Sequence, residues 1–92
     1  MASKPRPRPK RLAEKLCYIR LLLGLSQNGL VRRLGVEGLT QSNISEFETG
    51  RREPSLLILL QYSRLAGVHL EDLVDDEADL PARLPVSARR KA

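Results

Sequence analysis

The chain of 92 residues has few aromatic side chains, a single cysteine and no long apolar run. Trp is absent and Phe47 is the only phenylalanine, so a core must be built mainly from aliphatic side chains. The longest apolar run, 56–60, has five residues, whereas a membrane-spanning helix needs about 20. Cys17 alone cannot form an intramolecular disulfide or an all-cysteine zinc site. We therefore expect a small domain without disulfides, a bound metal or a membrane segment.

The net charge of +5 is distributed unevenly along the chain. Residues 1–11 carry five basic and no acidic side chains, and residues 71–79 carry six acidic and no basic ones. Residues 12–70 have a net charge of only +2, and the last ten residues are basic again. Basic segments at both ends favour binding to a polyanion such as nucleic acid. No apolar stretch follows the basic N-terminus, so we expect a cytoplasmic location rather than secretion.

The two ends of the chain predict unfolded segments. Prolines at positions 5, 7 and 9 alternate with basic residues, and proline excludes the helix that these residues would otherwise enter. We expect residues 1–10 to form a disordered basic arm and residues 79–92 a flexible tail. The folded domain is then predicted to cover residues 11–78.

Between these ends, the spacing of apolar residues predicts five short helices and no strand. The first begins near Leu12 and ends before Gly24. Side chains that cap helix N-termini (Ser26, Thr40 and Ser55) and glycines that end helices predict the next three, at 27–34, 41–49 and 56–66. Apolar residues at positions 70, 73 and 74 predict the fifth, at 70–76. The predicted fold class is all-α.

The second and third predicted helices, joined by a short connector, have the pattern of a helix-turn-helix. The third helix carries short polar side chains, and an α-helix fits the major groove of DNA, which is about 12 Å wide. Gln and Asn can pair with adenine N6 and N7, and Ser can contact any base. The basic loop that follows suits phosphate contacts, which position a protein without reading the sequence.

Two motifs carry a resemblance to a known family. Leu25-Ser26-Gln27-x-x-Leu30, followed by Gln41-Ser42-Asn43-Ile44-Ser45-x-Phe47-Glu48-x-Gly50-Arg51-Arg52-x-Pro54-Ser55, strongly resembles the XRE family of lambda-repressor-like helix-turn-helix proteins. The resemblance extends over about residues 20–74. It implies a compact five-helix domain, flanked here by the basic tails, that binds double-stranded DNA in a bacterial cytoplasm, in association with the nucleoid.

The resemblance also implies roles for individual residues. Base contacts fall on the third helix, at Gln41, Ser42, Asn43, Ser45 and Glu46. Contacts with the DNA backbone fall on Ser26, Gln27, Arg51, Arg52 and Ser55. Arg20 and Glu48 are expected to form a structural ion pair. Compared with the family, the connector at 35–40 is about three residues longer, and Gly29 stands where a better helix former is usual.

Other features leave alternatives open. Arg6, Arg8 and Lys10 either enter a minor groove or only raise non-specific affinity. The acidic segment 71–79 is either solvated or screens a basic tail within the molecule. Gly29 weakens its helix by about 0.5–1 kcal/mol relative to Ala, unless close packing requires it.

The fourth helix is apolar on more than one side, and a contiguous apolar patch indicates an interface. We favour a homodimer through helices 4 and 5, and the alternative is contact with another protein.

Two functions from different classes fit these features. The first is a sequence-specific DNA-binding transcriptional regulator that represses by occupying an operator. The second is an antitoxin or adaptor whose main partner is another protein. An enzyme is not expected, because His69 has no acid–base partner and no metal-ligand spacing is present. We therefore expect no catalytic residues, no cofactor and no metal.

Overall fold

A computed structural model describes residues 8–84, which form five helices and no strand. The helices are α1 (Leu12–Leu22), α2 (Gln27–Leu34), α3 (Gln41–Glu48), α4 (Leu56–Ala66) and α5 (Leu70–Val74). The predicted all-α class is confirmed, and α2 and α4 have the predicted bounds. The third and fifth helices end one and two residues earlier than predicted. None of the helices within residues 8–84 is long and apolar enough to cross a membrane.

Side-chain caps fix where the helices begin. Ser26 Oγ accepts a hydrogen bond from the N–H of Gly29 at 2.9 Å, and Thr40 Oγ1 accepts one from Asn43 at 3.2 Å. The Thr40 N–H donates in return to Asn43 Oδ1 at 3.0 Å, and Ser55 caps α4 with its own side chain. A cap of this kind contributes about 1 kcal/mol, because it satisfies an amide that has no partner within the helix.

The core is aliphatic apart from two aromatic rings, as the composition requires. It brings together apolar side chains from all five helices and from the segments that follow α4 and α5. Its fully buried members include Leu16, Ile19, Leu30, Ile44, Tyr62, Leu73 and Leu84. Burying each side chain of this size contributes about 1.5–3 kcal/mol. The core therefore holds α2 and α3 against α1 and α4, which sets the geometry of the helix-turn-helix.

The packed domain extends beyond residue 78, where the sequence predicted its end. Leu84 is only 1% exposed, and Leu80 packs against the same core. Both leucines lie outside any helical repeat that could identify them as buried from the sequence. The rest of the predicted tail, residues 85–92, lies outside the described residues.

The acidic segment 71–79 holds the beginning of α1. The Asp76 carboxylate accepts hydrogen bonds from the backbone N–H groups of Lys10 at 2.9 Å and Arg11 at 3.0 Å. These bonds hold the pKa of Asp76 below its usual value. Arg11 also donates to Asp79 Oδ1 at 2.8 Å. The segment thus contacts a basic part of the chain, at the last residue of the predicted arm and the first residue of the predicted domain.

Lys15 makes a second link between α1 and α5. Its side chain is 2% exposed, and Nζ donates to the carbonyl oxygens of Asp72 at 2.7 Å and Asp75 at 2.8 Å. The last carbonyls of a helix lack partners within it, so Lys15 closes the C-terminus of α5. The sequence did not predict this role.

Candidate nucleic-acid interface

One side of α3 is buried and the other is polar. Ile44 and Phe47 pack into the core. The opposite side carries polar side chains that are exposed or half-buried: Gln41, Ser42, Ser45 and Glu46. A helix of eight residues is about 12 Å long at 1.5 Å per residue, which is comparable with the width of the major groove.

Asn43 differs from the other polar residues of α3. Its Oδ1 accepts the hydrogen bond from the Thr40 N–H at 3.0 Å, so this oxygen already holds the start of the helix. The side chain also lines a cavity of about 280 Å³ together with Leu39, Arg52 and Ser55. The Thr-x-x-Asn spacing is the signal that could have indicated this capping role from the sequence.

Arg20 and Glu48, which the family resemblance predicted to form an ion pair, contact each other in the structure. The Arg20 Nε lies 2.7 Å from Glu48 Oε2, and Nη2 lies 3.0 Å from Oε1. Their side chains are only 14% and 6% exposed. Burial raises the pKa of Glu48, but hydrogen bonds from Arg20 and Gln27 outweigh it and hold this pKa below its usual value. The pair ties the last turn of α1 to the C-terminal end of α3.

Gln27 connects this ion pair to the N-terminal end of α3. Its Nε2 donates to Glu48 Oε1 at 3.2 Å, and its Oε1 accepts a hydrogen bond from Gln41 Nε2. The result is a continuous chain of hydrogen bonds from Arg20 through Glu48 and Gln27 to Gln41. Two side chains that the sequence predicted to contact DNA are thereby held side by side.

The loop after α3, residues 50–55, brings together three of the predicted backbone contacts. The N–H groups of Arg51 and Arg52 donate to the Glu46 carbonyl at 2.9 and 3.3 Å, and Gly50 has a φ of +78°. Arg51, Arg52 and Ser55 are all exposed, as is Ser26 at the start of α2. Arg52 Nε also lies 2.9 Å from the Glu46 carboxylate, a pair that the sequence did not predict.

The described part of the basic arm lies beside this loop. Arg8, Pro9 and Lys10 line a cavity of about 300 Å³ together with residues of the loop. Arg8 Nε lies 3.8 Å from Glu53 Oε2. Arg6 lies outside the described residues.

The connector between α2 and α3 contains a tight turn at residues 36–39, named here the 36–39 turn. The Leu39 N–H donates to the Val36 carbonyl at 3.2 Å, and Gly38 has a φ of +82°. A positive φ at the third residue of a β-turn favours glycine. Val36 and Leu39 pack against the core, while Glu37 and Gly38 are exposed. The extra length of the connector is therefore folded into a defined turn.

An apolar surface lies at the start of α4. Leu56 and Leu57 are 68% and 71% exposed, and Val74 of α5 is 37% exposed. Leu56 and Val74 line the same cavity of about 410 Å³. Leu56, Leu57 and Val74 are called here the apolar surface. They lie on α4 and α5, the helices that the sequence predicted for a dimer interface.

Neither His69 nor Cys17 forms part of a metal cluster in residues 8–84, where no three His, Cys, Asp or Glu side chains are arranged to hold an ion. His69 precedes α5, and its backbone N–H donates to Asp72 Oδ2 at 3.2 Å. Cys17 is half-buried, with Sγ 3.9 Å from Arg20 Nη2, and burial raises the pKa of its thiol.

Comparison with known proteins relates the chain to helix-turn-helix proteins. The model of a helix-turn-helix family matches residues 18–73, which extend from α1 into α5. The chain is also 34% identical over 68 residues to an uncharacterized HTH-type transcriptional regulator of Methanocaldococcus jannaschii. That alignment covers 74% of this chain and 98% of the relative. Both the ion pair and the linked glutamines lie within the residues that the family model matches.

Proposed function

Because the chain belongs to the XRE-type helix-turn-helix family of DNA-binding transcription regulators, we propose that it inserts α3 into the major groove and represses transcription by occupying an operator. The observation that carries this proposal is the chain of hydrogen bonds from Arg20 to Gln41. It supports a recognition role for α3, because it orients polar side chains at the exposed start of that helix before DNA arrives.

We assign base reading first to Gln41 and Ser42. Gln41 donates one amide hydrogen to Gln27, which leaves its other amide hydrogen and its oxygen for the N7 and N6 of an adenine. The Ser42 hydroxyl is exposed and can donate or accept. Ser45 and Glu46 follow about one helical turn later. Asn43 already uses Oδ1 to cap the helix, so we assign it a smaller part in base reading.

We assign contacts with the DNA backbone to Ser26, Gln27, Arg51, Arg52 and Ser55. Ser26 and Ser55 precede the N-termini of α2 and α4, and helix N-termini favour phosphate groups. Arg52 pairs with Glu46 on a surface where the two side chains are 60% and 36% exposed. An exposed pair of this kind is weak, so a phosphate can replace Glu46 as the partner of Arg52.

The basic arm extends the proposed interface. Arg8 and Lys10 lie beside the 50–55 loop, and a backbone-contacting loop would bring this part of the arm close to DNA. We propose that Arg6, Arg8 and Lys10 enter the adjacent minor groove. Proline restricts its own φ and favours an extended conformation at the residue before it, which suits a narrow groove.

We further propose that the protein binds as a homodimer through the apolar surface of Leu56, Leu57 and Val74. Exposed neighbouring leucines are costly in water, and the surface adjoins the 50–55 loop, so a second copy there would place two α3 helices on one face of DNA. A two-fold dimer predicts two half-sites about 34 Å apart on a pseudo-palindromic operator.

The experiment is selection of bound sequences from a random DNA pool by the full chain. The proposal predicts an enriched motif, two-fold symmetric, whose affinity falls steeply with salt. Gln41→Ala should relax the motif, whereas Gln61→Ala on α4, the same chemical change away from α3, should not. Selection of no sequence over competitor DNA would refute the proposed function. Repression itself is tested by transcription in vitro from a promoter that overlaps the selected site, and unchanged or increased transcription contradicts it.

Sedimentation tests the dimer. Leu57→Glu should give monomers with unchanged affinity for a single half-site and reduced affinity for the full site. Leu21→Glu is the control, since Leu21 is 61% exposed on α1. If wild-type protein and Leu57→Glu sediment alike as monomers on and off DNA, the proposed dimer is wrong.

An antitoxin or adaptor is the second candidate, favoured by the same leucines. It predicts a stoichiometric protein partner that Leu57→Glu loses, together with no selected DNA motif.

A further inference from the structure

The carboxylates around the helix-turn-helix are not equivalent. Between residues 27 and 55 the chain has four acidic side chains. Three of them are paired with arginine at 2.7–3.8 Å: Glu46 with Arg52, Glu48 with Arg20 and Glu53 with Arg8. Glu37, the fourth, is exposed and forms no hydrogen bond or ion pair with any residue in the described range 8–84. It is therefore a carboxylate without a neutralising partner in that range.

Glu37 is nevertheless held in a defined position. It lies at the tip of the 36–39 turn, which is closed by the hydrogen bond from Leu39 to Val36. Both of these flanking residues pack against the core. A turn anchored on both sides restricts where the Glu37 carboxylate can reach, as a base-reading group requires.

The 36–39 turn adjoins two groups of proposed DNA contacts. It leads through Thr40 directly into Gln41 and Ser42, and the surface along 37–42 is exposed apart from the half-buried Leu39. Leu39, the last residue of the 36–39 turn, lines the cavity of about 280 Å³ that Arg52 and Ser55 also line. With α3 in the major groove and Arg52 on a phosphate, a turn that leads into the start of α3 and shares a cavity with Arg52 through Leu39 would lie next to DNA.

We propose that the 36–39 turn is a second base-reading element, in which the Glu37 carboxylate accepts a hydrogen bond from the exocyclic amino group of a cytosine or adenine. The inference rests on the proposed function. In the major groove only cytosine N4 and adenine N6 present such donors, whereas guanine O6 and thymine O4 are acceptors. A carboxylate without a neutralising arginine is repelled by those acceptors and by phosphates. Glu37 thus selects bases by excluding the wrong ones as well as by binding the right one.

The test compares Glu37→Gln with Glu77→Gln in selection from a random DNA pool. Both variants remove one exposed negative charge, and Glu77 lies after α5. Wild-type protein and Glu77→Gln should select cytosine or adenine at one position beside the bases read by α3. Glu37→Gln should lose that preference, because an amide also donates to guanine and thymine. The discrimination at this position should fall roughly fivefold or more, and the base enriched there by wild-type protein identifies the partner.

Three outcomes separate the possibilities. If Glu37→Gln selects the wild-type motif with the same discrimination, the inference is wrong. If it binds all DNA more tightly and keeps the motif, Glu37 only repels phosphates, and base reading by the turn is again wrong. If wild-type protein enriches no motif, the proposed function fails and the inference fails with it. Thermal unfolding of Glu37→Gln should match wild type, since this side chain has no partner within residues 8–84.

Discussion

Gln27 Nε2 lies 3.2 Å from Glu48 Oε1, so a side chain proposed to contact DNA is held by the carboxylate that also pairs with Arg20. The ion pair therefore has two separable effects. It compensates a buried charge, which affects stability, and it orients Gln27 and through it Gln41, which affects DNA binding.

Removing Arg20 alone should be more harmful than removing the whole pair. Arg20→Met leaves Glu48, which is 6% exposed, without its charged partner. The free energy of unfolding should fall by about 3 kcal/mol, the lower end of what is typical for one partner of a buried pair. The double variant Arg20→Met, Glu48→Leu should recover most of this loss in urea unfolding, because no buried charge then remains.

The same double variant separates orientation from stability. It has no carboxylate to accept the Gln27 hydrogen bond, so its affinity for the selected operator should stay low although it is folded. Gln61→Ala again provides a control that leaves the hydrogen-bond chain intact. A double variant that binds the operator as tightly as wild type would show that the chain does not orient the DNA contacts.

The free energy of unfolding should decrease at acidic pH, because two carboxylates that stabilise the fold become protonated. The pKa values of Glu48 and Asp76 are held below their ordinary 4.5 and 3.8, respectively. A carboxylate whose pKa is lower in the folded than in the unfolded state stabilises the fold above its unfolded-state pKa, and this contribution is lost as the pH falls through the folded-state value. The free energy of unfolding should thus be nearly constant from pH 7 to 5 and fall below about pH 4.5.

Two substitutions test whether Glu48 and Asp76 cause the loss of stability at acidic pH. Glu48→Gln and Asp76→Asn should each flatten the decrease in urea-unfolding free energy between pH 4.5 and pH 3, whereas Glu77→Gln should not. If wild type and both variants lose stability in parallel, other groups cause the acid dependence.

The local parts of the fold could be predicted from the sequence, because their signals lie within a few residues. Ser26, Thr40 and Ser55 begin helices as predicted, and Gly35 and Gly67 end them with positive φ. The all-α class follows from these signals. The pairing of Arg20 with Glu48 came from the family resemblance, and the structure contains that contact.

The contacts that close the domain could not be predicted in this way. Lys15 bonds to carbonyls 57 and 60 residues away, and Asp76 bonds to amides 65 and 66 residues away. Such contacts depend on how α5 docks on α1, and helical periodicity carries no information about that docking. Nothing in the sequence therefore indicated the role of Lys15, and Asn43 was assigned to base contact although its side chain caps α3.

Lys15 should be important for stability although it is a lysine. Lys15→Met keeps the length and apolar character of the side chain, but it leaves the Asp72 carbonyl without its donor and the Asp75 carbonyl with only the Ala78 N–H. An unsatisfied polar group in the folded protein costs about 1–3 kcal/mol, so the free energy of unfolding in urea should fall by an amount in that range, with a lower midpoint. Lys10→Met is the matched control, because Lys10 is exposed and bonds to Asp76 through its backbone N–H. Equal midpoints for both variants would contradict the capping role.

Gly29 and Ser26 should be coupled in stability. A Cβ added at Gly29 would lie 3.1 Å from Ser26 Oγ, the atom that caps α2 by accepting from the Gly29 N–H. The oxygen cannot move away without weakening the cap. Gly29→Ala in the wild-type background should therefore gain less than the usual 0.5–1 kcal/mol of replacing a helical glycine, or even destabilise. In a Ser26→Ala background, which itself costs about 1 kcal/mol, the same substitution should give the full gain. Urea unfolding of the four proteins measures the coupling, and additive effects of the two substitutions would show that Gly29 is not retained for the cap.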